Sequence, residues 1–290
     1  MPELPEVETI VRQLRPRLVG RTILGASVLW PRTLAGISAK TFTAGLRGAR
    51  IREVRRRGKF FVIALTRGDR PAGHLVGHLR MSGRLVLAPR ASEVRSTHDR
   101  VRVALDAGQD LIFSDVRKFG RLWLTPQLDR VLGSLGPEPL APQFTAAWLA
   151  AGLRARARQL KPLLLDQRFL AGLGNIYVDE ALHAARLHPL TRSDQVDATG
   201  ARRLFTAIRR VLAAAIRREG SSFDAFYRTP EGQPGRYQHQ FRVYGRAGRP
   251  CRSCGAPIAR LVVGQRGTHI CPRCQRLSGG RRARSASSGR

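Results

Sequence analysis

The chain opens Met1-Pro2-Glu3-Leu4-Pro5-Glu6. Removal of an initiator methionine ahead of a small residue such as proline leaves a secondary amine on Pro2. An α-amino group has a pKa near ~8, so a useful fraction is unprotonated at neutral pH and can act as a nucleophile. A helix starting near Pro5 would point its positive end at that amine and lower its pKa further. Such an amine can attack a sugar C1′ and, after base loss, hold the opened sugar as an iminium ion, with Glu3 beside it to move protons. The same hexapeptide also reads as a plain helix entry whose acids match the helix dipole.

A second set of chemistry-bearing residues closes the chain. The four cysteines form Cys251-x2-Cys254 and Cys271-x2-Cys274, separated by sixteen residues. This distribution suits a metal site and not a disulfide framework, the alternative being unrelated reduced thiols. Two tight knuckles bring four thiolates to one tetrahedral zinc and leave no position for water, which predicts a structural ion and a two-stranded hairpin between the knuckles. Arg260 and Arg266 lie among small and apolar residues of that hairpin, so that one of them could reach into DNA.

Residues 161–180 read as a short helix, a turn bearing Gly172 and Gly174, and a second helix capped by Asn175. Free N–H groups at such a bend can hold a phosphate, although an ordinary helix hairpin needs the same residues. Charge favours the phosphate. The chain carries 52 Lys+Arg against 20 Asp+Glu, a net +32, which would repel itself strongly without a polyanion. Nucleic acid is the first partner to consider, ahead of a ribosomal-type or membrane-surface role. Only four cations are lysines, Lys40, Lys59, Lys118 and Lys161; a persisting lysine reads either as a place where a specific ammonium is wanted or as the remainder of a codon bias toward arginine. No apolar run approaches the ~20 residues of a membrane span and the start lacks a secretory pattern, so the expected location is intracellular.

The elements that must position these groups follow from periodicity. Apolar Val7, Ile10, Val11, Leu14 and Leu18 predict a helix over 5–18. From 22 to 124 the texture is short β-type runs, such as 60–65, 100–105 and 122–124, which predicts an antiparallel sandwich or barrel. A stretch over 133–142 with three prolines and two glycines reads as a linker. Helical periodicity returns around 148–157, 175–186 and 204–216. The expected units are a sandwich over 2–133, a linker over 134–143, a helical unit over 144–235, a zinc hairpin over 236–277 and a disordered basic tail over 278–290.

Taken together these residues resemble one family from Pro2 to about Gln275, the formamidopyrimidine-DNA glycosylases and their endonuclease VIII-type relatives. The resemblance rests on Pro-Glu-Leu-Pro-Glu-Val-Glu-Thr at the start, Arg-Arg-Gly-Lys-Phe at 56–60, His-Leu-Arg-Met-Ser-Gly at 78–83, Gly-Leu-Gly-Asn-Ile-Tyr at 172–177 and the closing cysteines. It implies an α+β multidomain fold: an N-terminal β-sandwich with an N-terminal helix, then a helix-two-turn-helix domain and a zinc finger. It implies a monomer acting on double-stranded DNA with oxidised bases in the cytoplasm.

Carried over by resemblance, Pro2 is the nucleophile, Glu3 the general acid/base, Lys59 a cation near the lesion's sugar-phosphate, and Glu6 a further active-site carboxylate. Lys161, Asn175 and Arg266 match phosphate-gripping positions, with Tyr244 and His78 beside them, although a lone histidine in a strand is also an ordinary structural residue. Met81, Arg117 and Phe119 match the residues that fill the void of a flipped base; the two apolar ones would equally suit a core.

Three features depart from the family pattern: Lys118 beside the void-filling arginine, a 231–236 segment lacking the lesion-covering loop's usual lysine and aromatic, and the basic tail. The implied activity is removal of oxidised purines (8-oxoguanine, formamidopyrimidines) through a Pro2 Schiff base, then β,δ-elimination. Its rivals are an endonuclease VIII-like enzyme for oxidised pyrimidines, against which Leu4 and the 117–119 wedge speak, and a silent binder of damaged DNA.

Overall fold

The computed structural model describes residues 1–90, 96–222 and 227–277; the basic tail expected over 278–290 lies outside the described residues. Helix α1 (Leu4–Leu18) buries the face predicted for it, Val7, Ile10, Val11, Leu14 and Leu18. Pro5 sits in its first turn, where a missing N–H is harmless, and Arg15 and Arg17 in its last turn match the dipole.

The strands that follow are β1 (Ile23–Val28), β2 (Arg50–Arg57), β3 (Phe60–Arg67), β4 (Arg70–His78), β5 (Gly83–Pro89), β6 (Asp99–Leu105), β7 (Gln109–Asp115) and β8 (Arg121–Thr125). They form two antiparallel four-stranded sheets, ordered β1-β6-β7-β5 and β2-β3-β4-β8. Their inner faces share one core with α1: Phe61, Ile63 and Leu75 from one sheet meet Val101, Leu111 and Phe113 from the other. This is the β-sandwich expected. The run of β texture from 22 to 124 is interrupted, however, by α2 (Ala39–Leu46), which the sequence reading missed. Its start signal was present, since Ser38 caps it by accepting the Thr41 N–H at 3.1 Å.

After α3 (Asp129–Leu132) the chain crosses residues 133–142 without a helix or strand. The segment is nevertheless pinned. Arg57 donates to the carbonyls of Leu135 and Gly136, and the Glu138 carboxylate accepts the Gly58 N–H at 2.5 Å and pairs with Arg56 at 2.7 Å. The β2–β3 turn carrying Lys59 is thereby tied to the crossing segment of chain.

The helical half comprises α4 (Ala146–Arg154), α5 (Leu160–Leu165), α6 (Asn175–Ala185) and α7 (Ala198–Arg217), packed around Leu163, Tyr177, Leu182, Leu204, Ile208 and Leu212. Leu4, from the first turn of α1, belongs to this second core and not to the sandwich core. One short helix therefore spans both. Among the described residues no helix is long and apolar enough to cross a membrane.

The hairpin of β9 (Ala259–Val263) and β10 (Arg266–Ile270) completes the structure. The Sγ atoms of Cys251, Cys254, Cys271 and Cys274 all lie within 4.8 Å of one another. Tetrahedral zinc with Zn–S bonds of ~2.3 Å requires sulfur separations near ~3.8 Å, so the donor set fits one structural ion. Apart from its pairing with β9 and the metal, β10 is held to the helical half by a few contacts, chiefly the Asp179 carboxylate accepting the His269 N–H at 2.9 Å and the Gly267 carbonyl accepting from Asn175 and Lys161. Metal removal or Cys271→Ala should therefore expose residues 259–270 to fast amide exchange while the sandwich strands keep their protection. Hydrogen-exchange mass spectrometry checks this, and unchanged protection over 259–270 would refute it.

Candidate active site

A cavity of about 510 Å³ lies where the two halves meet, lined by Pro2, Glu3 and Glu6 from the chain start and by Lys59, His78 and Met81 from the sandwich. Its other wall is Asn175, Tyr244 and Arg266. The geometry begins with the first turn of α1. The Glu3 N–H donates to Glu6 Oε2 at 2.8 Å, and both carboxylates are buried. Glu6 Oε1 accepts from the Tyr177 hydroxyl at 2.5 Å and from the Ser221 N–H at 2.8 Å. Glu3 Oε1 accepts the Ile176 N–H at 3.0 Å, at the positive end of α6.

Glycines make this approach possible. Gly172, at φ +92°, would place a Cβ 2.6 Å from the Leu4 side chain, and a Cβ on Gly174 would overlap the Glu3 carboxyl. On two residues that line the cavity, Glu3 Oε2 and Asn175 Oδ1 are buried without a hydrogen-bond partner among the described residues. Unpartnered acceptors at that depth are costly and mark where a ligand supplies the missing donor.

Burial raises the Glu3 pKa to about 6, with Lys59 opposing the rise and Glu6 adding to it. Lys59, buried too, is pushed below the usual lysine range by desolvation, with Glu3 and Glu6 opposing and Arg266 contributing. His78 is driven down to about 3 by burial, with Arg80 and Lys59 adding, so its ring is neutral at pH 7. Its Nδ1 accepts the Arg80 N–H at 2.9 Å, which leaves the ring proton on Nε2. The site thus holds a carboxyl poised between protonation states, an ammonium and a neutral donor.

Residues 1–122 match the family model for the formamidopyrimidine-DNA glycosylase N-terminal domain, residues 135–226 that for its H2TH domain, and residues 248–277 that for the zinc finger found in FPG and IleRS. The formamidopyrimidine-DNA glycosylase of Symbiobacterium thermophilum is 45% identical, covering 100% of this chain and 95% of its own. The chain belongs to the formamidopyrimidine-DNA glycosylase family. Two solved structures share its fold. The MutM (FPG) protein of Thermus thermophilus is 43% identical with a TM-score of 0.84, covering 96% of this chain and 100% of its own. The Lactococcus lactis Fpg in complex with an abasic site containing DNA is 36% identical with a TM-score of 0.86, covering 94% of this chain and 99% of its own.

In this glycosylase the structure brings Pro2, Glu3, Glu6, Lys59, His78, Asn175, Tyr244 and Arg266 to one cavity. Lys161 is placed otherwise. Its side chain is 0% exposed, pairs with Asp179 at 2.6 Å and donates to the Gly267 carbonyl at 3.2 Å. Its ammonium therefore ties α5, α6 and the hairpin together, and it is not among the residues that line the cavity. Asn175 is not the cap of α6 either. Gly174 takes that position, and the Asn175 amide turns to the Gly267 carbonyl at 3.0 Å, bracing the hairpin. Of the two hairpin arginines, Arg266 lines the cavity and Arg260 is not among its lining residues.

Met81 and Phe119 are 40% and 48% exposed on neighbouring turns, and the Arg117 guanidinium stands 5.0 Å over the Phe119 ring. Sequence reasoning missed what positions them. Asp115 accepts from the Ser82 hydroxyl at 2.6 Å, the Arg117 N–H at 3.2 Å and the Gly120 N–H at 2.7 Å, locking one turn to the other. It also passed over Asp179 and Glu180, whose carboxylates accept backbone N–H groups from His269 and from Arg242, Val243 and Tyr244. Acids in a helix interior of a basic chain were the available signal.

A carboxyl whose folded pKa lies above its ordinary value loses stability on ionising, so Glu3 favours the fold below pH 4.5 and opposes it as pH rises through about 6. Glu3→Gln keeps an acceptor for the Ile176 N–H and removes that charge. Its stability advantage over the parent should grow between pH 4.5 and 7.5, toward about 2 kcal/mol. Denaturant unfolding across that range tests this, and a difference independent of pH would overturn it.

Proposed function

We infer that the protein is a bifunctional DNA glycosylase and abasic-site lyase of base excision repair, which excises oxidised purines such as 8-oxoguanine and formamidopyrimidines from duplex DNA. The observation that carries this reading is the convergence of Pro2, a buried Glu3 of raised pKa and the Lys59 ammonium on one cavity at the seam of the two halves. Its place of work is the cytoplasm, beside the chromosome.

In this reading loss of Met1 frees the Pro2 nitrogen, which attacks C1′ as the C–N bond to the damaged base breaks. Glu3, carrying a proton over part of the neutral range, moves it to the opening sugar and takes protons back during elimination. The resulting iminium makes the C2′ proton acidic, so that the 3′ and then the 5′ phosphate leave in turn. Lys59 holds charge near the sugar-phosphate, while Arg266, the neutral His78 and Tyr244 grip the flanking backbone. Glu6, bound on all sides, is a positioning residue for Glu3. Lys161 and Asn175 position the hairpin that carries Arg266. The zinc ion supplies rigidity to that hairpin and no chemistry.

Borohydride treatment with an abasic duplex should trap a covalent adduct that peptide mapping places on Pro2, and an uncleaved tag ahead of Pro2 should abolish it. An adduct that forms undiminished with the amine blocked would remove Pro2 from the reaction.

Flipping a base costs a few kcal/mol of unstacking, which something must offset. Met81 and Phe119 fill the vacated stack, and Arg117 donates to the orphaned partner. Cytosine offers O2 and N3 as acceptors to a guanidinium fork, whereas the Watson–Crick edge of adenine offers one acceptor beside a donor. Arg117→Ala should therefore slow excision opposite cytosine more than opposite adenine, by roughly the 1–3 kcal/mol of one good base contact. Met81→Ala should slow both alike and spare abasic-site cleavage. Single-turnover rates on the two duplexes decide, and an unchanged cytosine-to-adenine ratio in Arg117→Ala would refute its role.

A further inference from the structure

The catalytic cavity uses few of the chain's arginines. A second concentration lies along the outward face of α7, where three adjoining depressions share Arg210 and Ala184 or border them. They are lined by Arg202, Arg203, Arg210 and Arg217 of α7, by Arg218 just after it, and by Arg186 and Arg242 on either side. All seven are exposed. None of these lining residues lines the catalytic cavity, and Tyr177 and Tyr237, with ring centroids 5.8 Å apart, stand between the groove and Glu6.

Nothing neutralises this face. Among the described residues no carboxylate lies within ion-pair distance of any of the seven arginines. The one acid in the groove, Glu180, is buried and accepts the backbone N–H groups of Arg242, Val243 and Tyr244 at 2.9 Å each. Helix α7 itself contains five arginines and no acid. A helix laid against solvent ordinarily alternates charge signs to gain i,i+4 pairs and avoid self-repulsion; this one does neither.

The spacing is regular as well. Arg202, Arg210 and Arg217 are separated by eight and seven residues, two helical turns each, so they lie on one face over about 22 Å. That length matches two-thirds of a duplex turn of about 34 Å. Guanidinium groups about 10–12 Å apart along a line suit spaced phosphates of an extended nucleic-acid backbone better than one compact anion.

We propose that the α7 groove is a second binding surface for duplex DNA, which engages the phosphates of an undamaged segment while the catalytic cleft holds another. Binding there is sequence-independent and neutralises about four phosphates, so its affinity falls with salt with a log–log slope near −3 to −4. A protein holding two segments can pass from one to the next without dissociating fully.

The test uses the full chain, first saturated with one equivalent of a short duplex carrying a non-cleavable abasic analogue. A labelled undamaged duplex is then titrated and followed by anisotropy at several salt concentrations. The expected result is a second binding event with the slope given above. Replacing Arg202, Arg210 and Arg217 by glutamine should weaken it at least about tenfold and flatten the slope, while strand cleavage and first-duplex affinity stay unchanged. The matched lysine variant should retain it. The proposal is overturned by absence of a second event, by a second event that the glutamine variant leaves intact, by failure of lysine to sustain it, or by equally tight binding of polyglutamate. Because cleavage is read separately, a failed groove and a failed active-site assignment give different results.

Discussion

Two carboxylates buried within the first six residues set the terms for the rest of this structure. Removing an ionised carboxylate from water costs several kcal/mol even after relaxation, and Glu3 and Glu6 both lie inside. Glu6 is satisfied by four donors: the Glu3 N–H, the Tyr177 hydroxyl, and both the backbone and the hydroxyl of Ser221. Glu3 leans on the start of α6 and on the Lys59 charge. These partners come from both halves, so neither half can form the site alone. The glycines at 172 and 174 belong to the same constraint, since a side chain at either would push the chain start out of its seat.

The hairpin is governed by a related device. Asp179 and Glu180, consecutive on α6, point to different neighbours, one gripping Lys161 and β10, the other accepting three backbone N–H groups ahead of the cysteines. Helix α6 is thus a bracket with Glu3 at its start and the zinc hairpin along its length. Arg266 reaches the cavity because this bracket and the metal agree on where β10 lies. Lys161, a fully buried ammonium, is tolerable only because Asp179 faces it at 2.6 Å; a buried pair of this kind gives register more than stability.

Arginine excess takes on a spatial meaning in this frame. Some guanidinium groups are structural ties, as with Arg57 on the crossing chain and Arg100 on the Asp115 carbonyl. A few face the cleft. On α7, Arg202, Arg210 and Arg217 pair with no carboxylate among the described residues and do not line the cleft, so their like charges are screened by water and salt.

Much of this was legible in the sequence alone. Zinc ligation follows from local spacing, and the helices α1, α6 and α7 from apolar periodicity, because both depend on residues close together in the chain. The chemistry proposed for Pro2 and Glu3 draws on local sequence in the same way, an N-terminal amine beside an acid. What the sequence could not decide was which side chains are already occupied by one another. Lys161 reads as a phosphate ligand until Asp179, eighteen residues on, turns out to face it, and Asn175 reads as a helix cap until the Gly267 carbonyl draws its amide away. The roles of Asp115 and Glu138 were hidden likewise, since Asp115 accepts from the Ser82 hydroxyl and Glu138 from the Gly58 N–H, donors that only the folded chain brings near. Local pattern determines what a residue is able to do; partners distant in sequence, brought together in a desolvated interior, decide which of those abilities remains free.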